Sequence, residues 1–164
     1  VLARQQSSPA VGAAAEPVVL AALARQVLGE MAPTAQQHGI DLGLGAADEA
    51  FIPAYPEALR VLLRNLLDNA IKYTPAGGTV DLELQRRDDR LVLSVEDSGP
   101  GIPEAERQRV LDRFYRVAGT DTTGSGLGLA IVKSIADLHN ATLELSASSR
   151  LAGLRVDISF PLPA

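Results

Sequence analysis

No cysteine occurs in the 164 residues, which excludes disulfides and thiolate-bound metal and leaves the redox compartment unread. Histidine is nearly as scarce: His38 and His139 stand far apart, so an imidazole-built zinc site is not expected. Positive charge is not massed. With 15 Lys and Arg against 20 Asp and Glu the formal net charge is -5, the wrong balance for a surface that tracks nucleic-acid phosphates. No apolar run reaches the roughly 18 residues of a membrane span, and the start lacks the basic-then-apolar order of a secretion signal. The chain as given is therefore expected to be soluble, touching neither nucleic acid nor membrane. It contains no internal repeat.

What is present is apolar patterning. Hydrophobic residues make up 46% of the chain, enough for one core, and the length fits one domain plus a tail. Residues 1–16, rich in Ala, Gln and Ser with Pro9 and Gly12, bury too little apolar area to offset ordering entropy. They are assigned as a linker, and residues 17–164 as the folded domain. From Pro17, the residues Val19, Leu20, Leu23, Val27, Leu28 and Met31 recur at helical spacing; Pro33 should kink or interrupt the last turns, and Gly39 suits a helix end. Short strands are expected at 40–44 and 50–54, around an acidic turn at Asp48 and Glu49, before Pro56 opens a second helix.

That second helix organises the chain. Leu59, Leu62, Leu63, Leu66, Ala70 and Tyr73 fall on one side of it, while Asn65, Asn69 and Lys72 stack one turn apart on a polar stripe. Asparagine competes for nearby backbone and is a poor interior helix residue, so two of them beside a lysine ask for an explanation; a solvated face is the plain one. After the turn Pro75-Ala76-Gly77-Gly78, alternating Val80, Leu82, Leu84 and Leu91, Leu93, Val95 predict an antiparallel hairpin whose charged turn, 86–90, faces water. Alternation stops at Asp97-Ser98-Gly99-Pro100-Gly101-Ile102-Pro103. A short helix over Glu104–Asp112 and Arg113-Phe114-Tyr115-Arg116 follow, then a polar stretch and Gly124-Ser125-Gly126-Leu127-Gly128. A third helix runs through Leu138, and strands near 142–147 and 154–160 end the chain.

Three of these stretches can carry chemistry. A fixed Asp97 carboxylate accepts a hydrogen bond from an exocyclic amine and repels the carbonyl oxygen at that place in guanine, so it selects adenine. Gly99 and Gly101 let backbone approach a flat ring, with Ile102 as an apolar wall; the alternative is a plain turn. Gly124–Gly128 runs straight into a helix whose N–H groups can meet phosphate oxygens, although it matches neither the P-loop nor the dinucleotide fingerprint. The amide oxygens of Asn65 and Asn69 suit magnesium, which bridges phosphates. Lys72, with Arg113 and Arg116, can supply charge to those phosphates.

In this order the motifs resemble the catalytic, ATP-binding domain of bacterial two-component sensor histidine kinases, in detail those of the QseC type, within the GHKL superfamily shared with gyrase and MutL. The resemblance covers about residues 17–164. It implies an α+β fold, a two-layer α/β sandwich with a mixed sheet, helices on one face and a mobile ATP lid at about 117–125. It further implies that Asn69 binds Mg2+ with Asn65 as its partner, that Lys72 and Tyr73 contact nucleotide, and that Asp97 reads adenine. Gly99 and Gly101 match a first glycine box, Phe114 an aromatic box, and Gly124, Gly126 and Gly128 a second, with Ser125 and Leu127 between them.

The ATP-hydrolysing members place a glutamate where this chain has Asn65, and an amide cannot take a proton from water. Phosphoryl transfer is thus favoured over hydrolysis, with Asn65, Lys72, Arg113 and Arg116 as the residues assigned to it. A hydrolase or an anti-sigma-like protein-serine kinase, and a nucleotide-binding module without catalysis, are the alternatives. Departures from the family pattern are His139-Asn140-Ala141 in place of His-Gly-Gly, where asparagine tolerates the left-handed turn, and Leu154 in place of Ser or Thr. No His-Glu-x-x-x-Pro acceptor motif occurs, so His38 and His139 are assigned as helix-end or surface residues. The resemblance therefore implies an acceptor histidine on an upstream dimerisation domain, whose last helix Val1–Arg4 would end. It also implies a response regulator as downstream partner, a homodimeric full-length protein at the bacterial inner membrane, and a monomeric, cytoplasmic catalytic domain.

Overall fold

A computed structural model describes residues 14–107 and 128–163. Strand β1 (Glu16–Val19) leads into helix α1 (Leu20–Gln37), then β2 (Asp41–Ala47), β3 (Phe51–Ala54), helix α2 (Pro56–Tyr73), β4 (Thr79–Arg87), β5 (Arg90–Asp97), helix α3 (Gly128–Leu138), β6 (Thr142–Ala147) and β7 (Leu154–Pro161). The main sheet has the order β2-β4-β5-β7-β6, parallel between β2 and β4 and antiparallel elsewhere. It is the mixed sheet the motifs implied.

Alternation decides which sheet face is covered. Val80, Leu82 and Leu84 of β4, Leu91, Leu93 and Val95 of β5, and Val156, Ile158 and Phe160 of β7 are all buried, and successive side chains of a strand point to opposite faces. These residues form one cluster with Leu20, Ala24 and Val27 of α1, Leu59, Leu63, Leu66 and Leu67 of α2, and Val132 and Ala136 of α3. The fold is therefore a two-layer sandwich with its helices on one face. At about 25 cal/mol per Å² of apolar area, burying each such leucine contributes roughly 1.5–3 kcal/mol.

Several local expectations change. The first helix begins at Leu20, because residues 16–19 form β1 and pair antiparallel with β3, Glu16 opposite Ala54 and Val19 opposite Phe51. Pro33 does not end α1. It sits on the exposed face, where the carbonyl it leaves unbonded can take water, while buried Met31 and Ala35 hold the helix to the core. Tyr73 is half-buried, and the inner face of α2 is completed by Leu67 and Ile71. Of the hairpin-turn charges, Arg90 does not simply face water: its guanidinium donates to Ser159 Oγ at 2.8 Å and to the Ser159 carbonyl at 2.6 Å.

His139 is a helix-end residue, as expected, but a buried one, 8% exposed. Its Nδ1 lies 2.8 Å from the Ile135 carbonyl, and its Nε2 accepts the Tyr55 N–H at 3.2 Å, which ties the end of α3 to the start of α2. Asn140 takes the left-handed conformation, φ 57°, and the turn survives without glycine. His38 caps the exposed end of α1.

Candidate functional site

Helix α2 places the polar stripe. Asn65 and Asn69 are half-buried, one turn apart, and the start of α3 lies against both: a Cβ on Gly128 would stand 3.6 Å from Asn69 Oδ1 and 4.0 Å from Asn65 Oδ1. Asn65 uses its Nδ2 to bond the Val61 carbonyl at 2.8 Å. That orients the amide and leaves its oxygen as the available donor atom for a ligand. Asn69 makes no side-chain hydrogen bond among the described residues. Lys72 is paired with Asp68 at 3.0 Å, both about 40% exposed, a contact that an anionic ligand can exchange at little cost.

At the C-terminal end of α2 the chain folds the Asp97 segment against the helix. Asp97 is 5% exposed. Its Oδ1 accepts the Gly99 N–H at 2.9 Å and the Leu154 N–H at 3.1 Å; among the described residues no donor reaches Oδ2. Burial raises its pKa above the ordinary 3.8, and the Leu154 and Gly99 N–H bonds oppose the shift. Gly99 is required by contact: a Cβ there would come within 2.6 Å of the Tyr73 carbonyl. Gly101 adopts φ 74°, and Ile102 packs, partly buried, against the core.

The predicted residues thus form two groups along one helix. Asn65, Asn69 and Gly128 meet at its middle, and Tyr73, Asp97 and Gly99 at its end, with Lys72 between. Asn65 and Tyr73 are eight positions apart in α2 (73 − 65), about 12 Å at 1.5 Å per residue. Such a track suits an elongated ligand with a flat polar head and an anionic tail. Arg113, Phe114, Arg116, Gly124, Ser125, Gly126, Leu127 and the 117–125 segment lie outside the described residues.

Two contributors were not foreseen from sequence. Gly153 packs so closely on Asp97 that a Cβ would collide with the Asp97 carbonyl and carboxylate, and would approach the Gly99 nitrogen to 2.7 Å. Leu154, considered for a missing hydroxyl, buries its side chain and reaches Asp97 through its main-chain N–H. A glycine preceding the last strand is the one sequence signal for the first; the second has none, because every residue but proline carries that donor.

A mixed sheet covered on one face by helices, with a buried carboxylate at a strand end and two asparagines beside the start of α3, places the domain in the α/β-sandwich class. The model of the family described as Histidine kinase-, DNA gyrase B-, and HSP90-like ATPase matches residues 54–164, and the chain belongs to that family. Similar curated proteins are the sensor protein kinase PmrB of Pseudomonas aeruginosa, 40% identical over 146 residues (88% of this chain, 30% of PmrB), and the sensor protein QseC of Escherichia coli, 41% identical over 128 residues (77% and 27%). Among solved structures, the mycobacterial sensor histidine kinase MprB superposes with a TM-score of 0.82 at 31% identity, covering 91% of this chain and all of that one. Within the family, the fold and the relatives make this an ATP-binding catalytic domain of a sensor histidine kinase. The chain spans less than a third of the length of these curated relatives. Among the described residues, no helix is long and apolar enough to cross a membrane.

Proposed function

We propose that the domain holds Mg-ATP along α2 and presents its γ-phosphate to a histidine on a separate, upstream dimerisation domain of the same kinase. The observation that carries this reading is Asp97: a buried carboxylate fixed through Oδ1 by two main-chain N–H groups, with Oδ2 left to accept from the 6-amino group of adenine. Holding the carboxylate in place before the nucleotide arrives reduces the ordering cost of binding. Tyr73 and Ile102 flank the base, and Lys72 exchanges Asp68 for phosphate.

The Asn65 and Asn69 oxygens are hard, neutral donors that suit Mg2+, and Asn69 has no competing partner among the described residues. Bound there, Mg2+ would neutralise phosphate charge and hold the γ-phosphate in line. Asn65 cannot act as a general base toward water. Its role is to orient: the unprotonated ring nitrogen of the substrate histidine attacks the γ-phosphorus, the bond to the β–γ bridging oxygen breaks and ADP leaves, and the proton on the other ring nitrogen passes to solvent. Arg113, Arg116, Phe114 and Gly124–Leu127 complete the reading as phosphate, base and loop contacts. Residues 1–16, the last of which opens β1, are assigned as the link to the dimerisation domain, and a response regulator takes the phosphoryl group afterwards. In that architecture the full-length protein is a homodimer at the inner membrane, with this domain in the cytoplasm.

Incubation with γ-labelled ATP, with and without a dimerisation fragment carrying the histidine, tests it. Label appearing on the fragment only when both pieces are present is the expected result. Free phosphate released by the domain alone, with the fragment unlabelled, would replace this reading with hydrolysis.

A further inference from the structure

We propose that Ser148 and Glu96, on the sheet face opposite the nucleotide track, are positioning residues that hold Asp97 in register for adenine and so set selectivity against a 6-oxo purine. The inference rests on Asp97 being the adenine-reading carboxylate.

Glu96 precedes Asp97 on β5 and points to the helix-free face, opposite Asp81 of β4 and Arg155 of β7. A carboxylate on that face would ordinarily be solvated, yet Glu96 is 3% exposed. The β6–β7 turn covers it. Ser148, itself 3% exposed, donates from Oγ to Glu96 Oε2 at 2.6 Å and accepts the Leu151 N–H at 2.9 Å. Arg155 and Arg150 approach Glu96 Oε1 at 3.3 and 3.7 Å.

The same turn is closed on itself around Ser148. Its N–H donates to the Gly153 carbonyl at 2.7 Å, and its carbonyl accepts the Ala152 N–H at 3.0 Å. Ala152 sits at φ 72°, a left-handed conformation that a side-chain-bearing residue keeps only when its surroundings hold it there. Gly153 and Leu154 come next, and these touch Asp97 on the other face, by van der Waals contact and by the Leu154 N–H. A turn clamped at Glu96 therefore fixes the depth at which the Leu154 N–H meets Asp97 Oδ1. With the clamp released, the turn relaxes and the carboxylate loses its orientation while the sheet, held by its own ladder, persists.

The test titrates the domain with ATP and with inosine triphosphate, each with Mg2+, by calorimetry. Ser148→Ala is expected to weaken ATP about fivefold to tenfold, the scale of one charge-assisted hydrogen bond, while inosine triphosphate changes less than about twofold. Ser148→Thr, which keeps the hydroxyl, should restore ATP. In the nucleotide-free domain the Gly99 and Leu154 amides should exchange hydrogen faster in Ser148→Ala. Should the alanine variant fail to fold, Ser148→Cys keeps the volume with a weak donor and is read the same way. Unchanged ATP affinity, or equal losses for both nucleotides, overturns the inference. Wild-type domain that binds both nucleotides equally, or Asp97→Asn without effect, overturns the adenine reading itself and this inference with it.

Discussion

Asp97 carries a conflict between folding and binding. Burial raises its pKa above 3.8, so the native state binds its proton more tightly than the unfolded chain, and ionisation costs stability as pH rises past the unfolded value. The asparagine oxygen can still accept both main-chain N–H groups. Asp97→Asn is therefore expected to leave the melting temperature of the free domain unchanged or higher while weakening ATP at least tenfold, as loss of a charged acceptor implies; scanning calorimetry and a nucleotide titration check the two halves. His139 gives the opposite pH dependence. Burial lowers its pKa from 6.5, with the Ile135 carbonyl opposing, and protonation would aim an Nε2–H at the Tyr55 N–H. Neutral His139 thus contributes stability that is full above pH 6.5 and lost as pH falls through its lowered native value. Melting temperature should drop on acidification from pH 6.5 toward about 5, and His139→Gln should flatten that slope; parallel curves would exclude His139 as the source. The Asp97 motif was legible because glycine spacing and a strand-terminal carboxylate are written in side chains. Its partner at Leu154 was not: it is a backbone donor 57 residues away.

Among elements, the long periodic ones were legible, as was short β3, expected at 50–54 and found at Phe51–Ala54, but its partner β1 was not. In β4, β5 and β7 apolar residues alternate because one face meets the helices, and α2 shows its stripe because leucines recur every three or four residues. β1 is four residues of Glu-Pro-Val-Val whose apolar positions run on into the spacing of α1; only its partner 35 residues later makes it a strand. The helix layer separates apolar from ionic stabilisation. Leu63, fully buried, should cost about 2–5 kcal/mol as Leu63→Ala. Glu30 bridges α1 to Arg60 and Arg64 of α2 at 3.0 and 2.8 Å, but all three side chains are 25–49% exposed, so Glu30→Ala should cost less than about 1 kcal/mol. In the β6–β7 turn, Ala152→Gly removes a Cβ from φ 72° and should stabilise the domain by about 0.5–1 kcal/mol after the added unfolded-state entropy is counted. Urea unfolding of the three variants orders them, and a destabilised Ala152→Gly would mean that the left-handed residue is not strained.

At the scale of the molecule, the proposed nucleotide site joins parts that are distant in sequence: the middle of α2, the loop after β5, the start of α3 and the turn before β7. A ligand that binds only this assembled arrangement must stabilise the whole fold. At a hundred times its dissociation constant the linkage is about 2.7 kcal/mol, and at roughly 2–4 °C per kcal/mol for a chain of this size that is about 5–10 °C in melting temperature. The metal is expected to act through Asn69, whose oxygen lies beside Gly128, rather than through the base end of the track. ATP with Mg2+ should therefore raise the midpoint more than ATP with a chelator, and Asn69→Ala should abolish that difference while keeping the metal-free shift. Asp97→Asn should do the reverse, shrinking both shifts together, because it acts on the base and not on the phosphates. If Asn69→Ala keeps the Mg2+ increment, the metal is held elsewhere, and the polar stripe of α2 returns to being a solvated helix face.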